Sequence, residues 1–335
     1  MAKVLVTFSN TGFSFDVWRH STAFLLKHSA ELDKFGQHTL TEDPAEADII
    51  LFGEMGTCGD FAEMVRAHPF YRRFPKKCFL FDNAYRALPI VPGMYSSLTR
   101  EQRRLGYTRT GFYLYLIENA FIRSRPVSGN EKYLASFVGS IVTHPVREKL
   151  FEFGRSDIYV KDTAAYGQRT TFHGLPEERA RFWEEYADSI ADAKFSLCPR
   201  GVGAGSIRLY ESMKTGRACV ILSDAWQPND GVAWEEFSIT VPEKDAHRIP
   251  EILEQHEHRA AEMGARARQA WEEHFSEPAR FHYVVERCLD IQKHSGNGTL
   301  TRKFRLLRYV ANPRNLRHYL SSKMNLYRNT GKIYW

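Results

Sequence analysis

The stretch whose reading decides the fold runs Phe195-Ser-Leu-Cys-Pro-Arg200-Gly201-Val-Gly203-Ala-Gly205-Ser206-Ile-Arg208-Leu-Tyr-Glu211-Ser-Met-Lys-Thr-Gly216-Arg-Ala-Cys-Val-Ile-Leu-Ser223-Asp224. It reads as strand, Gly-rich loop, helix, strand. Pro199 ends the first strand, and Gly201, Gly203 and Gly205 let the backbone turn sharply and come close to a ligand. Ser206 suits the N-cap of a helix over Ser206–Thr215, which Gly216 closes. The first-turn N–H groups and positive dipole end of that helix make an anion site. Arg200 and Arg208 flank it, and arginine suits bidentate phosphate contacts. Glu211 follows Arg208 by three residues on one helix face. A carboxylate there repels phosphate but can accept both hydroxyls of a ribose. Together these residues suit a nucleoside diphosphate. The plainer alternative is a structural Gly-rich turn with an Arg208–Glu211 surface ion pair, because the loop is not G-x-G-x-x-G.

Outward from this stretch, strand-like and helix-like patterns alternate, which argues for α/β with mainly parallel sheets. In the first half, Lys3–Phe8, Asp48–Phe52 and Cys78–Phe81 read as strands, Val17–Phe35 as a helix, and Phe112–Ile117 as strand or helix. Ile122–Lys132 is polar, with Pro and Gly, and reads as a linker. After it, strands are expected at Tyr133–Val138 (followed by Gly139-Ser140), Asp157–Lys161, Ala218–Leu222 and Phe237–Val241. Helices are expected at Pro145–Phe153, Pro176–Lys194, Ala246–Glu254, Arg259–Phe275 and Pro278–His294. The 335 residues thus divide into residues 1–125, residues 133–295, and a tail of residues 296–335.

The net charge of +6 is local. Residues 296–335 hold no Asp or Glu and nine Lys and Arg, more than the whole net charge, so the remainder is slightly acidic. That argues against a nucleic-acid-binding body, and no nucleic-acid module is recognisable. Within residues 302–335, apolar residues such as Leu316, Leu320 and Met324 mix with the cations. Two readings stay open: an interfacial segment attracted to anionic lipid, or a helix folded back on the N-terminal domain with its charges solvated. Five cysteines at no metal-ligand spacing suit a reducing cytoplasm. No uninterrupted apolar run reaches membrane-spanning length.

The run Cys-Pro-Arg-Gly, Ser-Ile-Arg-Leu-Tyr-Glu-Ser, Gly-Arg and Val-Ile-Leu-Ser-Asp resembles the C-terminal half of the exostosin family of glycosyltransferases. The likeness continues through Pro228, Trp234–Asp245 and Ile249–Leu253, with a weaker echo over Ala135–Leu150. It implies two Rossmann-like domains facing a cleft (the GT-B fold), residues 1–125 receiving the acceptor and residues 133–295 holding the donor. It implies an inverting transfer from a UDP-sugar. The acceptor is read as a glycan or lipid-linked glycan, and the cysteines and basic tail place the expected enzyme in the cytoplasm or peripheral at the inner membrane face. By position, Arg147 and Arg208 would hold the diphosphate beside Gly139, with Ser206 capping onto it, Glu211 on the ribose and Ser223-Asp224 bordering the sugar. Ala225-Trp226-Gln-Pro228-Asn-Asp230-Gly replaces the family's aromatic-Leu-Pro-Phe segment, which leaves the sugar open.

Inversion needs a general base for the acceptor hydroxyl and positive charge for the leaving diphosphate. In open α/β sheets ligands gather at carboxyl strand ends, which makes Glu54 and Asp82 the candidate bases. Such positions are also ordinary places for turn carboxylates. Trp18, Tyr85, Tyr95, Trp226 and Trp234 are candidates for stacking on sugar rings, or core residues. No Asp-x-Asp motif occurs in the donor segment, so no metal or other cofactor is required beyond the nucleotide sugar. Two other functions fit the same residues. One is a non-catalytic nucleotide-sugar-binding subunit, and the other a basic membrane or nucleic-acid adaptor.

Overall fold

The computed structural model describes residues 1–9, 21–53, 61–114, 118–295, 307 and 309–331. The chain divides into two compact units. The first comprises Met1–Leu116, Gln227–Asp230 and Ser276–Trp335, and the second Ile117–Trp226 and Gly231–Phe275.

In chain order the first unit contains β1 (Ala2–Thr7), α1 (Thr22–Glu31), β2 (His38–Leu40), β3 (Ile49–Gly53), α2 (Phe61–Ala67), α3 (Pro69–Arg73), β4 (Cys78–Asp82), β5 (Gly93–Tyr95) and β6 (Thr108–Thr110). All six strands pair in parallel, in the order β2-β1-β3-β4-β5-β6. Every residue of β3 and β4 is buried. A parallel sheet covered on both faces produces such continuous apolar runs. Ser21 starts α1, its hydroxyl accepting from the amide of Phe24 at 3.1 Å. The end of β3 runs so close to this turn that a Cβ at Gly53 would lie 2.4 Å from the Ala23 nitrogen.

The second unit contains β7 (Tyr133–Gly139), β8 (Ile158–Asp162), α4 (Gly167–His173), α5 (Pro176–Ala191), β9 (Ala193–Pro199), α6 (Ile207–Thr215), β10 (Ala218–Leu222), β11 (Ser238–Thr240), α7 (Ile249–His256) and α8 (Ala260–His274). Its sheet is also parallel, ordered β11-β10-β9-β7-β8. In both sheets the first strand lies between the second and the third. This is the doubly wound arrangement, whose order reverses beside the first strand. The expected α/β class with two Rossmann-like domains is therefore present, one in each unit.

Several expectations need correction. The unit boundaries differ from 125 and 295: α9 (Glu277–His294) belongs to the first unit. Arg280 Nε there donates to Ser29 Oγ at 2.5 Å, and the fully buried Arg109 binds Asp290 at 2.9 Å through Nε. The segment Pro145–Glu152 is 3₁₀ helix rather than α-helix. Phe112–Leu114 is neither strand nor helix, and residues 115–117 lie outside the described residues. The short strands β2, β5 and β6 carry no apolar run and were not foreseen.

In the tail, α10 (Pro313–Thr330) packs back on the first unit. Tyr309 and Tyr319 reach its core beside Phe70, Tyr71 and Phe74, and Leu326 is buried. The folded-back alternative thus describes one face of this helix. No helix among the described residues is long and apolar enough to cross a membrane.

Candidate functional site

The order reversal of the second sheet falls between β7 and β9, and the deciding stretch leaves the sheet there. β7 ends at Gly139 and β9 at Pro199. Arg147, from the 3₁₀ segment after β7, clamps the two strand exits. Its Nε donates to the Arg200 carbonyl at 2.8 Å, Nη1 to the Ser140 carbonyl at 2.9 Å and Nη2 to the Pro199 carbonyl at 3.3 Å. A Cβ at Gly201 would meet Arg147 Nη2 at 3.0 Å, so glycine lets the clamp close. Farther along, Ser223 Oγ donates to the Ala204 carbonyl at 2.8 Å and ties the loop to the end of β10.

This loop delivers the chain to α6. Ser206 occupies the N-cap with extended backbone (φ −129°, ψ 131°), yet its hydroxyl accepts no bond from the first turn. The helix therefore begins without the side-chain cap that its sequence offers, an arrangement that suits an anion on the first-turn amides. Arg200 stands at the loop's start, one-fifth exposed, with Nη1 3.6 Å from Glu243 Oε1 and a buried Nε that has no hydrogen-bond partner. Gly139, Arg147, Arg200, Gly201, Ser206 and Asp224 are thus gathered around one set of strand ends.

Asp224 is exposed and joins this group through Glu243, which the sequence reading did not single out. The amide of Asp224 donates to Glu243 Oε1 and the amide of Glu243 to Asp224 Oδ1, each at 3.1 Å. His144 lies 3.9 Å from Glu243 Oε2. Burial, then the neighbouring Arg200, pushes its imidazole below the usual range. Glu243 was visible only as one residue of the Trp234–Asp245 run. Its partners come from distant turns, which spacing does not reveal.

Arg208 and Glu211 are placed differently from expectation. Arg208 is 4% exposed and turned toward the sheet. Its Nε donates to Ser196 Oγ at 3.1 Å and Nη2 to Ser136 Oγ at 3.0 Å, on residues paired across β7 and β9. It also lies over the Tyr186 ring, 5.2 Å from the centroid, and its buried Nη1 has no hydrogen-bond partner. The guanidinium is thus held by mid-strand serines rather than presented at the loop. Glu211 is half-buried and takes a 2.5 Å bond from the Tyr186 hydroxyl, not a surface ion pair with Arg208. Burial raises the Glu211 carboxyl above the ordinary carboxylate range, against the lowering effects of Tyr186 and Arg208.

In the first unit, Asp82 ends β4, is 7% exposed, and its Oδ1 accepts from the Ala84 amide at 2.8 Å. That is a turn-forming carboxylate, one of the two readings open to it. Glu54 and Trp18 lie outside the described residues. Tyr95, Trp226 and Trp234 are buried, the two tryptophans edge to face at 4.9 Å, so they are core residues. Tyr85 is half-buried. The replaced segment Ala225–Gly231 has a structural role, since Asn229 Nδ2 donates to the carbonyls of Thr110 (3.1 Å) and Gly111 (2.9 Å).

Residues 112–256 match the Exostosin GT47 domain model. Among curated proteins, the chain is 38% identical over 71 residues to the Exostosin-1 homolog of Caenorhabditis elegans, covering 21% of this chain and 19% of that protein. It is 31% identical over 137 residues to the probable glucuronoxylan glucuronosyltransferase F8H of Arabidopsis thaliana, covering 40% of this chain and 28% of the relative. The matches thus span less than a third of these relatives' length. Among solved structures, TarM aligns with 81% of this chain and 58% of its own at 14% identity and a TM-score of 0.40. The strand-end geometry and the family match thus fall on the same residues, and that match, with the curated relatives, supports an exostosin-like glycosyltransferase domain over residues 112–256.

Proposed function

We propose that the second unit binds a UDP-sugar at the β7–β9 strand ends and that the protein transfers the sugar, with inversion, to a glycan or lipid-linked glycan. The observation that carries this reading is the start of α6 without a side-chain cap, behind a Gly-rich loop clamped by Arg147 and headed by Arg200. Charge building on the leaving diphosphate would be met there by Arg200 and the first-turn amides. The ribose goes to Glu211, whose carboxylate accepts hydroxyl protons and which sits one turn into the same helix. The uridine base and the inverting course rest on the exostosin resemblance. The relative named as a glucuronosyltransferase puts a hexuronosyl donor first among those to assay. Of the two carboxylates expected as base, Asp82 is engaged by its own turn, so Glu54→Gln is the first variant for loss of transfer.

The test is thermal stability with UDP, GDP, CDP, ADP or no ligand, on wild type and Glu211→Ala. UDP at about 100 times its dissociation constant should add roughly 2.7 kcal/mol to wild type and nothing to the variant. If no diphosphate stabilises the wild type, the donor reading is wrong. Slow UDP-sugar hydrolysis separates an enzyme from a binding subunit, which should show none.

We also propose that α10 brings the protein to an anionic membrane at the cytoplasmic face. Leu316, Leu320, Met324 and Tyr327 are all exposed and recur at helical spacing along one side of the helix, in a segment without acidic residues. Phosphatidylserine vesicles should bind the protein in a salt-sensitive way, and Leu320→Glu with Met324→Glu should abolish binding without lowering the melting temperature. Equal binding by the double variant would remove α10 from this role.

A further inference from the structure

We propose that His38, His282 and Glu286 form a binding site for a divalent transition-metal ion of the zinc type, a clip that fastens the edge strand β2 to α9. The three side chains offer two imidazole nitrogens and one carboxylate oxygen, and these ligand atoms all lie within 4.8 Å of one another. His282 and Glu286 stand four residues apart on one face of α9, and His38 opens β2. Two imidazoles and a carboxylate suit zinc and its neighbours rather than magnesium or calcium, which take oxygen ligands. In a tetrahedral site with bonds of about 2.1 Å the ligand atoms sit about 3.4 Å apart. His38 Nε2 and Glu286 Oε1 are already 3.1 Å apart.

The independent observation is the state of the ring nitrogens. His38 is 8% exposed, yet neither of its nitrogens has a hydrogen-bond partner, and the buried Nδ1 of His282 lacks one too. The close approach of His38 to Glu286 brings the atoms together without hydrogen-bond geometry. Buried polar atoms are nearly always paired, and a bound ion is one of the few reasons for leaving such donors and acceptors unmatched. The His282 ring stacks on those of Phe35 (4.2 Å) and His38 (5.1 Å), which holds its orientation.

The site's place argues for a structural ion. His38 pairs with Ala2, at the amino end of β1, whereas ligands in open parallel sheets gather at the carboxyl ends. β2 is three residues long and pairs on one side only, so a bond from it to α9 would hold the sheet edge in place.

The experiment uses the full chain, stripped of metal with a chelator, and then Zn2+ alone. Zinc at about 100 times its dissociation constant should raise the melting temperature by about 5 °C with one ion bound per chain. Co2+ in its place should give the absorption of a low-coordination nitrogen and oxygen site. His282→Ala and Glu286→Gln, both at half-buried positions, should each remove the zinc-induced shift while leaving UDP-induced stabilisation intact. The UDP readout, taken against each metal-free variant, shows that the variant is folded. Its absence from every sample including wild type bears on the donor site alone. No zinc-induced shift in wild type overturns the proposal, as does a shift retained in His282→Ala or in Glu286→Gln.

Discussion

Glu211 and Arg208 share a face of α6 but do not bond to each other; Tyr186 lies between them, stacked on the guanidinium and donating to the carboxylate. This ladder gives the proposed donor site a pH dependence. Burial holds the Glu211 pKa above the ordinary value, so the charged form that the proposed ribose contact needs is lost at a higher pH than for a free glutamate. UDP affinity should therefore fall on acidification while most carboxylates are still ionised, and Glu211→Gln should flatten the profile at a lower affinity. Calorimetric titration from pH 7.5 down to pH 5 reads this, and parallel profiles for the two proteins would contradict it. The linkage for folding has the opposite sense. A carboxyl whose pKa rises on folding favours the folded state most below its unfolded value, and that contribution is lost as pH rises through the folded value. The metal-free, ligand-free Glu211→Gln protein should consequently melt no lower than wild type at pH 7.5. Tyr186→Phe removes the hydroxyl that donates to the carboxylate, so it should push the acidic loss of UDP affinity to still higher pH.

At the scale of elements, two glycines set limits that can be measured. Gly216 ends α6 in the left-handed region (φ 87°, ψ 46°), its amide bonding back to the carbonyls of Ser212 and Met213. Gly216→Ala forces a Cβ into that conformation and should cost about 1–2 kcal/mol in chemical denaturation. Gly53→Ala should cost more, because its Cβ would collide with the α1 backbone rather than with a movable side chain. Equal costs at the two positions would mean that the close approach at Gly53 relaxes freely. Gly216 was legible from sequence because a glycine after a helical run has a standard meaning. Gly53 looked like any loop residue at a strand end, since the chain that crowds it comes from a separate element. The same contrast runs through the site. Gly201, Ser206 and the α6 start were readable as local chemistry, and the runs Cys78–Phe81 and Ala218–Leu222 as strands. The inward turn of Arg208 depends on Ser136 and Ser196, two small polar residues of apolar strands, and nothing local marks them as its partners. Three-residue strands such as β5 lack the length over which a period could show.

At the scale of the whole molecule, the first unit is not a continuous stretch of chain. It begins at Met1, is left at Leu116, and is completed only by Ser276–Trp335, apart from the short return at Gln227–Asp230. Helix α9 supplies buried residues including Phe281, Val284, Val285 and Ile291, and Tyr319 of α10 packs on the cluster around Ile50, Phe52 and Leu80. A fragment of residues 1–116 should therefore remain unfolded by circular dichroism, whereas residues 117–275, which carry a nearly complete sheet and core of their own, should melt cooperatively. A cooperative transition in the shorter fragment would show that α9 is dispensable. As the chain emerges from a ribosome, the half synthesised first must then wait, its β1, β3 and β4 already made, until the last sixty residues arrive. The second unit, made in between, can close before it. During that interval three strongly apolar strands lack their cover, and truncation ahead of Ser276 would cost the protein its amino-terminal unit as well as the residues removed.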